Sequence, residues 1–359
     1  MSSAEALGGP EAYQARLAGA LRRYREVAGA GPRPEAIDPA RPEVQQVYRA
    51  FARAAFPIPF RPGLGEELAL RLGLKPVLRL LTDPTGVDRL AAHFARDGFQ
   101  MLASTTPRTE SVVDGLLSTG AGAAGAPARV LVYAGRDRAQ VEEAAALDEE
   151  LTDRKGPKLA RTDQRWRDRT RRLGTLLGYP TCCVEAFAAL GAFTSNATPI
   201  AASAGRSARF EPRLDNLSLS VCHLTGWFPC RYDCPASLEV ARAVEAALAA
   251  RDPGGAAALR RYLAMPRLYA DDRRQLLLDG ELLAPDRIRL RTVHTPYAFD
   301  RDPAEAAHEW IFFADVAAPL RGGGLLTVTP EALVLEAPGR APLVRPRPAG
   351  STWLPFADP

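Results

Sequence analysis

Lysine, cysteine and long apolar runs are what this sequence lacks, and each shortage excludes something. Only three lysines occur among 46 basic residues, so 46 − 3 leaves 43 arginines. With Ala, Gly and Pro abundant as well, that bias reads as base composition rather than function. A net charge of +4 over 359 residues therefore argues for no partner by itself, and only local arginine clustering carries information. No apolar run approaches the ~18 residues a bilayer span needs, so no membrane role is expected. The N-terminal MSSAEALGGPEAYQ has neither a basic n-region nor an apolar core. No secretory signal is expected, and the cytoplasm is the expected compartment. Hydrophobic residues at 47% and charged residues at 25% exclude wholesale disorder.

Cysteine is missing from most of the chain and concentrated in one stretch. All five cysteines (Cys182, Cys183, Cys222, Cys230 and Cys234) lie between positions 182 and 234. A cytosolic chain that gathers its thiols in this way points to metal or thiol chemistry rather than to disulfides.

The expected class is α+β, in four parts. Residues 1–62 read as a helical leader, since Tyr13, Leu17, Leu21 and Tyr24 share a helix face. Residues 63–153 read as a small α/β layer of βαβ-like pieces. Apolar runs at 76–81 and 99–103 flank a helical period over 87–94, and VLVYA at 130–134 is the clearest strand, with a helix after it from 138 to about 151. Residues 154–262 form a helical cysteine-bearing segment. Residues 263–359 are β-rich, with strand pairs at 275–278 and 288–293 and at 325–328 and 332–335. A helix is expected over 304–313, and an irregular proline-rich tail ends the chain.

Several familiar signatures fail on context. GAGAAG at 120–125 matches the dinucleotide pattern, but it opens onto a strand instead of a helix. There is no Walker A loop and no GxSxG elbow, and His308-Glu309 lacks the second histidine of a zincin.

The cysteines fall in two blocks. In LGYPTCCVEAF, residues 177–187, Gly178 and Pro180 end one helix, and Thr181 is the expected N-cap of the next. Cys182 and Cys183 then lie in a first helical turn, where free N–H groups and the macrodipole favour thiolates. The second block is Cys222-His223 followed by PCRYDCPAS, residues 229–237. Pro235 suits the first helical position, with Cys234 as N-cap. Two helix N-termini around clustered thiolates suit an anionic centre. The spacings contain no CxxC or CxxH knuckle, so an iron–sulfur cluster of the 4Fe-4S type leads, with zinc and dithiol redox chemistry as alternatives. The expected ligands are Cys183, Cys222, Cys230 and Cys234. Cys182 is then the spare thiol, and Glu185, His223 and Asp233 are candidate proton carriers for sulfur-transfer or lyase chemistry.

LGYPTCCVEAF followed by PCRYDCPAS resembles the uncharacterised prokaryotic domain-of-unknown-function family 483, whose hallmark is a GYPxCCVxxF block and a later PCxxxC block. The likeness covers roughly residues 170–240. It implies that Cys183, Cys230 and Cys234 belong to one shared site, and it implies no reaction.

A second local signal precedes the cysteines. Residues 154–172 hold seven arginines in nineteen positions, about three times the chain's own rate. Arg165, Arg169 and Arg172 share one helix face beside Trp166. They are the candidate contacts for a small anionic substrate or RNA, with a zinc-stapled RNA-binding module as the alternative function. The competing reading is a solvated face paired with Glu149, Glu150 and Asp153.

Overall fold

The computed structural model describes residues 64–82, 84–104, 108–113, 116–120, 128–152, 163–190, 196–217, 223–271, 274–294, 316–317, 320, 322–348 and 350–357. The expected leader, the 304–313 helix, His308, Cys222 and all of 154–162 lie outside them. Among the described residues, eight helices and two antiparallel sheets confirm the α+β class. The chain divides into two compact units, one of 58–112 with 116–263 and the other containing 264–359. Among the described residues, no helix is long and apolar enough to cross a membrane.

The first unit begins with α1 (Leu64–Arg71), β1 (Val77–Thr82), α2 (Val87–Ala95) and β2 (Gln100–Ala103). β3 (Arg108–Val113), β4 (Leu116–Gly120), β5 (Ala128–Gly135) and α3 (Arg138–Thr152) follow. β1 and β2 both pair antiparallel with β5 through residues 132–135, so they take its two opposite edges and run parallel to each other. The expected βαβ piece is present in split form, with β5 inserted between its strands. β3 and β4 had no clear alternation in the sequence and were not expected.

Both faces of this sheet are covered, which explains why VLVYA is apolar without alternation. Val77, Leu131 and Tyr133 face α3 and α4 (Gln164–Leu176), sharing a core with Val141, Ala144, Leu173 and Leu176. Leu78 and Ala134 face the other way, toward Leu70 of α1 and Phe94 of α2. The boundary drawn at 153/154 thus falls inside one continuous core. The remaining helices of this unit are α5 (Thr181–Ala188), α6 (Ala197–Arg206), α7 (Pro235–Arg251) and α8 (Pro253–Leu263).

The second unit is a seven-stranded antiparallel sheet. It comprises β6 (Arg267–Tyr269), β7 (Gln275–Ala284), β8 (Arg287–His294), β9 (Gly324–Val328), β10 (Ala332–Glu336), β11 (Leu343–Pro346) and β12 (Thr352–Leu354). β6 to β11 form a meander, and β12 returns to the opposite edge beside β6. In β8 the alternation of arginine with Ile288, Leu290 and Val293 puts the apolar set into the core. The tail read as irregular supplies two strands, because edge strands tolerate proline on their unpaired side.

Candidate metal centre

The first cysteine block is shaped by the turn between α4 and α5. Gly178 has φ +70°, and a Cβ there would lie 2.8 Å from Leu74 O and from Lys75 Cα. Both the left-handed backbone and the close approach require glycine. Tyr179 turns inward, with its ring 5.1 Å from that of Trp227 and its hydroxyl donating to Gly226 O at 3.2 Å. Pro180 follows as the N-cap, its carbonyl accepting from Cys183 N at 2.9 Å and Val184 N at 3.0 Å. The cap is therefore Pro180 instead of Thr181, one residue earlier than expected. Cys182 and Cys183 do occupy the first turn.

The second block is held by hydrogen bonds from α6 and the segment after it. Ser203 Oγ donates to Pro229 O at 2.5 Å, and Arg206 Nε donates to Cys230 O at 2.7 Å. Tyr232 N donates to Ser207 Oγ at 2.7 Å, while the buried Tyr232 ring stacks on Phe210. Cys234 N closes a turn on Arg231 O at 3.1 Å. Cys234 is the N-cap of α7 and Pro235 its first residue, as expected.

The two blocks meet. Cys182, Cys183, Cys230 and Cys234 place all four sulfurs within 4.8 Å of one another. The Cys182–Cys183, Cys182–Cys234 and Cys183–Cys234 separations are 4.0, 3.6 and 3.8 Å. Four cysteines so arranged can hold a metal ion. Cys183 and Cys234 are buried, Cys230 is half-buried and Cys182 is exposed.

Donors converge on the buried sulfurs. Cys230 N points at Cys183 Sγ at 3.2 Å, and Ser237 Oγ lies 3.2 Å from the same sulfur. Trp227 Nε1 donates to Ser237 Oγ at 3.0 Å, which leaves the hydroxyl proton for the sulfur. The hydrogen bond from Cys183 holds the Cys234 thiol far down, to about 4, and Ser237 adds to the effect. The same bond pushes Cys183 up, as does its burial. Burial and then Cys234 push Cys230 up to about 12. Four thiolates this close repel one another, so only a cation lets all four ionise together.

Behind the sulfurs lies a buried ion pair that sequence reasoning missed. Lys75 Nζ contacts Glu66 Oε2 and sits over the rings of Tyr179 at 4.8 Å and Trp227 at 5.7 Å. Burial holds the Lys75 ammonium below its usual range against the pull of Glu66. His223 is buried with Nε2 3.9 Å from Glu66 Oε1, which places it in this network. A lone Lys75 in a lysine-poor chain was the only trace of it in the sequence.

The other candidate residues have partners of their own. Glu185 takes a two-pronged hydrogen bond from Arg171 at 2.8 and 2.9 Å, and Asp233 Oδ1 is 3.4 Å from Arg231 Nε. Arg172 grips Glu143 through two bonds of 2.6 Å, and Arg169 pairs with Glu150. Arg165 is exposed. The carboxylates that meet the arginine face thus include Glu150, as expected, together with Glu143. Cys182, expected as the spare thiol, joins Cys183, Cys230 and Cys234 in the sulfur set, and Cys222, expected as a ligand, lies outside the described residues.

Compared with family models, with curated proteins and with solved structures, the chain finds no match in any of the three.

Proposed function

We propose that this protein binds one tetrahedral metal ion, zinc, through the thiolates of Cys182, Cys183, Cys230 and Cys234. The sulfur spacing carries this reading. Four sulfurs around one ion at Zn–S bonds of about 2.3 Å lie about 3.8 Å apart. The separations of 3.6, 3.8 and 4.0 Å among Cys182, Cys183 and Cys234 match that edge, and Cys230 Sγ lies within 4.8 Å of each. The ion would tie the N-terminus of α5 to that of α7, and these positive helix ends, with the Cys230 N–H and Ser237 O–H, would offset the charge of a tetrathiolate. The likeness to family 483 implies that three of these four, Cys183, Cys230 and Cys234, share one site.

An iron–sulfur centre is the second reading, favoured by the same two helix ends and the N–H donated to sulfur. It would make the protein an enzyme with sulfur-transfer or lyase chemistry. A four-iron cube is bulkier than one ion, so its ligand sulfurs must stand further apart than these do.

Metal analysis of anaerobically purified full-length protein and five single cysteine-to-alanine variants tests both. One zinc per chain is expected, lost in each of Cys182→Ala, Cys183→Ala, Cys230→Ala and Cys234→Ala and kept in Cys222→Ala. Iron with acid-labile sulfide and a brown colour would replace the first reading by the second. Retention of metal in all five variants would sink both.

A further inference from the structure

The four sulfurs are not equivalent. Cys183 and Cys234 are buried, and both receive hydrogen bonds from the scaffold. Cys183 faces the Cys230 N–H and the Ser237 hydroxyl, and Cys234 is bonded by the Ser237 backbone and side chain. Such donors withdraw charge from a sulfur and blunt it as a nucleophile. Cys182 differs on both counts. It is exposed, and among the described residues only other cysteine sulfurs lie within bonding reach of its Sγ. It also sits in the first turn of α5. Cys230 is only half-buried, and is its nearest rival.

We propose that Cys182 is a covalent modification site, the reactive edge of the metal centre, where a soft carbon electrophile from solvent is captured. This inference rests on the four-thiolate reading above. In the step, a lone pair of Cys182 Sγ forms a sulfur–carbon bond while the bond from that carbon to its leaving group breaks. The leaving group departs as an anion with the bonding electrons. No oxidant is needed and no proton moves, because the metal already holds the sulfur as a thiolate. The product thioether is a neutral and weaker donor, so capture of the alkyl group loosens the metal and is sensed by the two helices it ties together.

The test is limiting iodoacetamide on the zinc-loaded full-length protein, with the site of labelling followed in time by peptide mass and the zinc content measured on the same sample. Cys182 should label first, about tenfold faster than any other cysteine, and zinc release should track its labelling. Labelling of Cys230, Cys222 or any other cysteine at the rate of Cys182 in protein that holds zinc overturns this inference alone. Protein that holds no metal overturns the proposed function and this inference with it.

Discussion

Ser237 Oγ stands 3.2 Å from Cys183 Sγ, one turn into the helix that Cys234 caps. The same oxygen accepts the Trp227 indole N–H at 3.0 Å, so one hydroxyl joins the aromatic wall to the sulfur cluster. Removing it leaves a buried N–H without its acceptor and Cys183 Sγ with the Cys230 N–H but not the hydroxyl as donor. Ser237→Ala should cost about 1–3 kcal/mol in chemical denaturation of the metal-free protein. In competition with a chelator it should also weaken metal binding roughly 10–100-fold, the usual effect of losing a partner that orients a ligand. Unchanged metal affinity would mean that the hydroxyl serves only the tryptophan.

The Glu66–Lys75 pair carries a different expectation. Both side chains are buried, and Lys75 also lies over Tyr179 and Trp227, whose neighbours lead into the two cysteine blocks. Lys75→Met leaves a buried carboxylate without its cation, and a loss of roughly 3–5 kcal/mol is expected. Replacing both partners, as in Lys75→Met with Glu66→Leu, removes the unpaired charge and should restore a good part of that loss. Urea denaturation of the two single variants and the double variant measures the coupling. A double variant less stable than Lys75→Met would show that the carboxylate has a role beyond this pair.

Acid should weaken the joint between α7 and α8 through Glu245. Burial pushes its carboxyl up, but the hydrogen bonds from Arg213 at 2.7 Å and Arg260 at 2.8 Å win and hold it below the usual carboxylate range. A depressed pKa contributes stability above the unfolded value of about 4.3, and that contribution is lost as pH falls through the folded value. Glu245→Gln should therefore be less stable than the parent by about 1–2 kcal/mol near neutrality. The difference should shrink steadily as pH drops below about 4.5. Denaturation midpoints of the two proteins across that range check it, and a gap that stays constant would mean the carboxyl titrates alike in the folded and unfolded chain.

The linear sequence was enough to place the local structure around the cysteines. Pro235 after Cys234 is legible as a helix start because proline needs no N–H partner there. Gly178 marks a helix end because only glycine enters the left-handed region freely. Periodicity likewise located β8, where every second residue must face a core, and the apolar run of β5, which is covered on both faces. These are near-neighbour effects, and they are written in residues a few positions apart.

Tertiary structure alone decided which sulfurs meet and what lies behind them. Cys182 and Cys183 point about 100° apart on an ideal helix, which argued for only one of them as a ligand. In the first turn both nonetheless reach Cys234, because the helix end itself is presented to the start of α7. The insertion of β5 between β1 and β2, and the burial of Lys75 with Glu66 beneath Tyr179 and Trp227, are likewise invisible to any local pattern. Which distant segments pair depends on the total area they bury and on leaving no charge unmatched, and no short window of sequence contains either quantity.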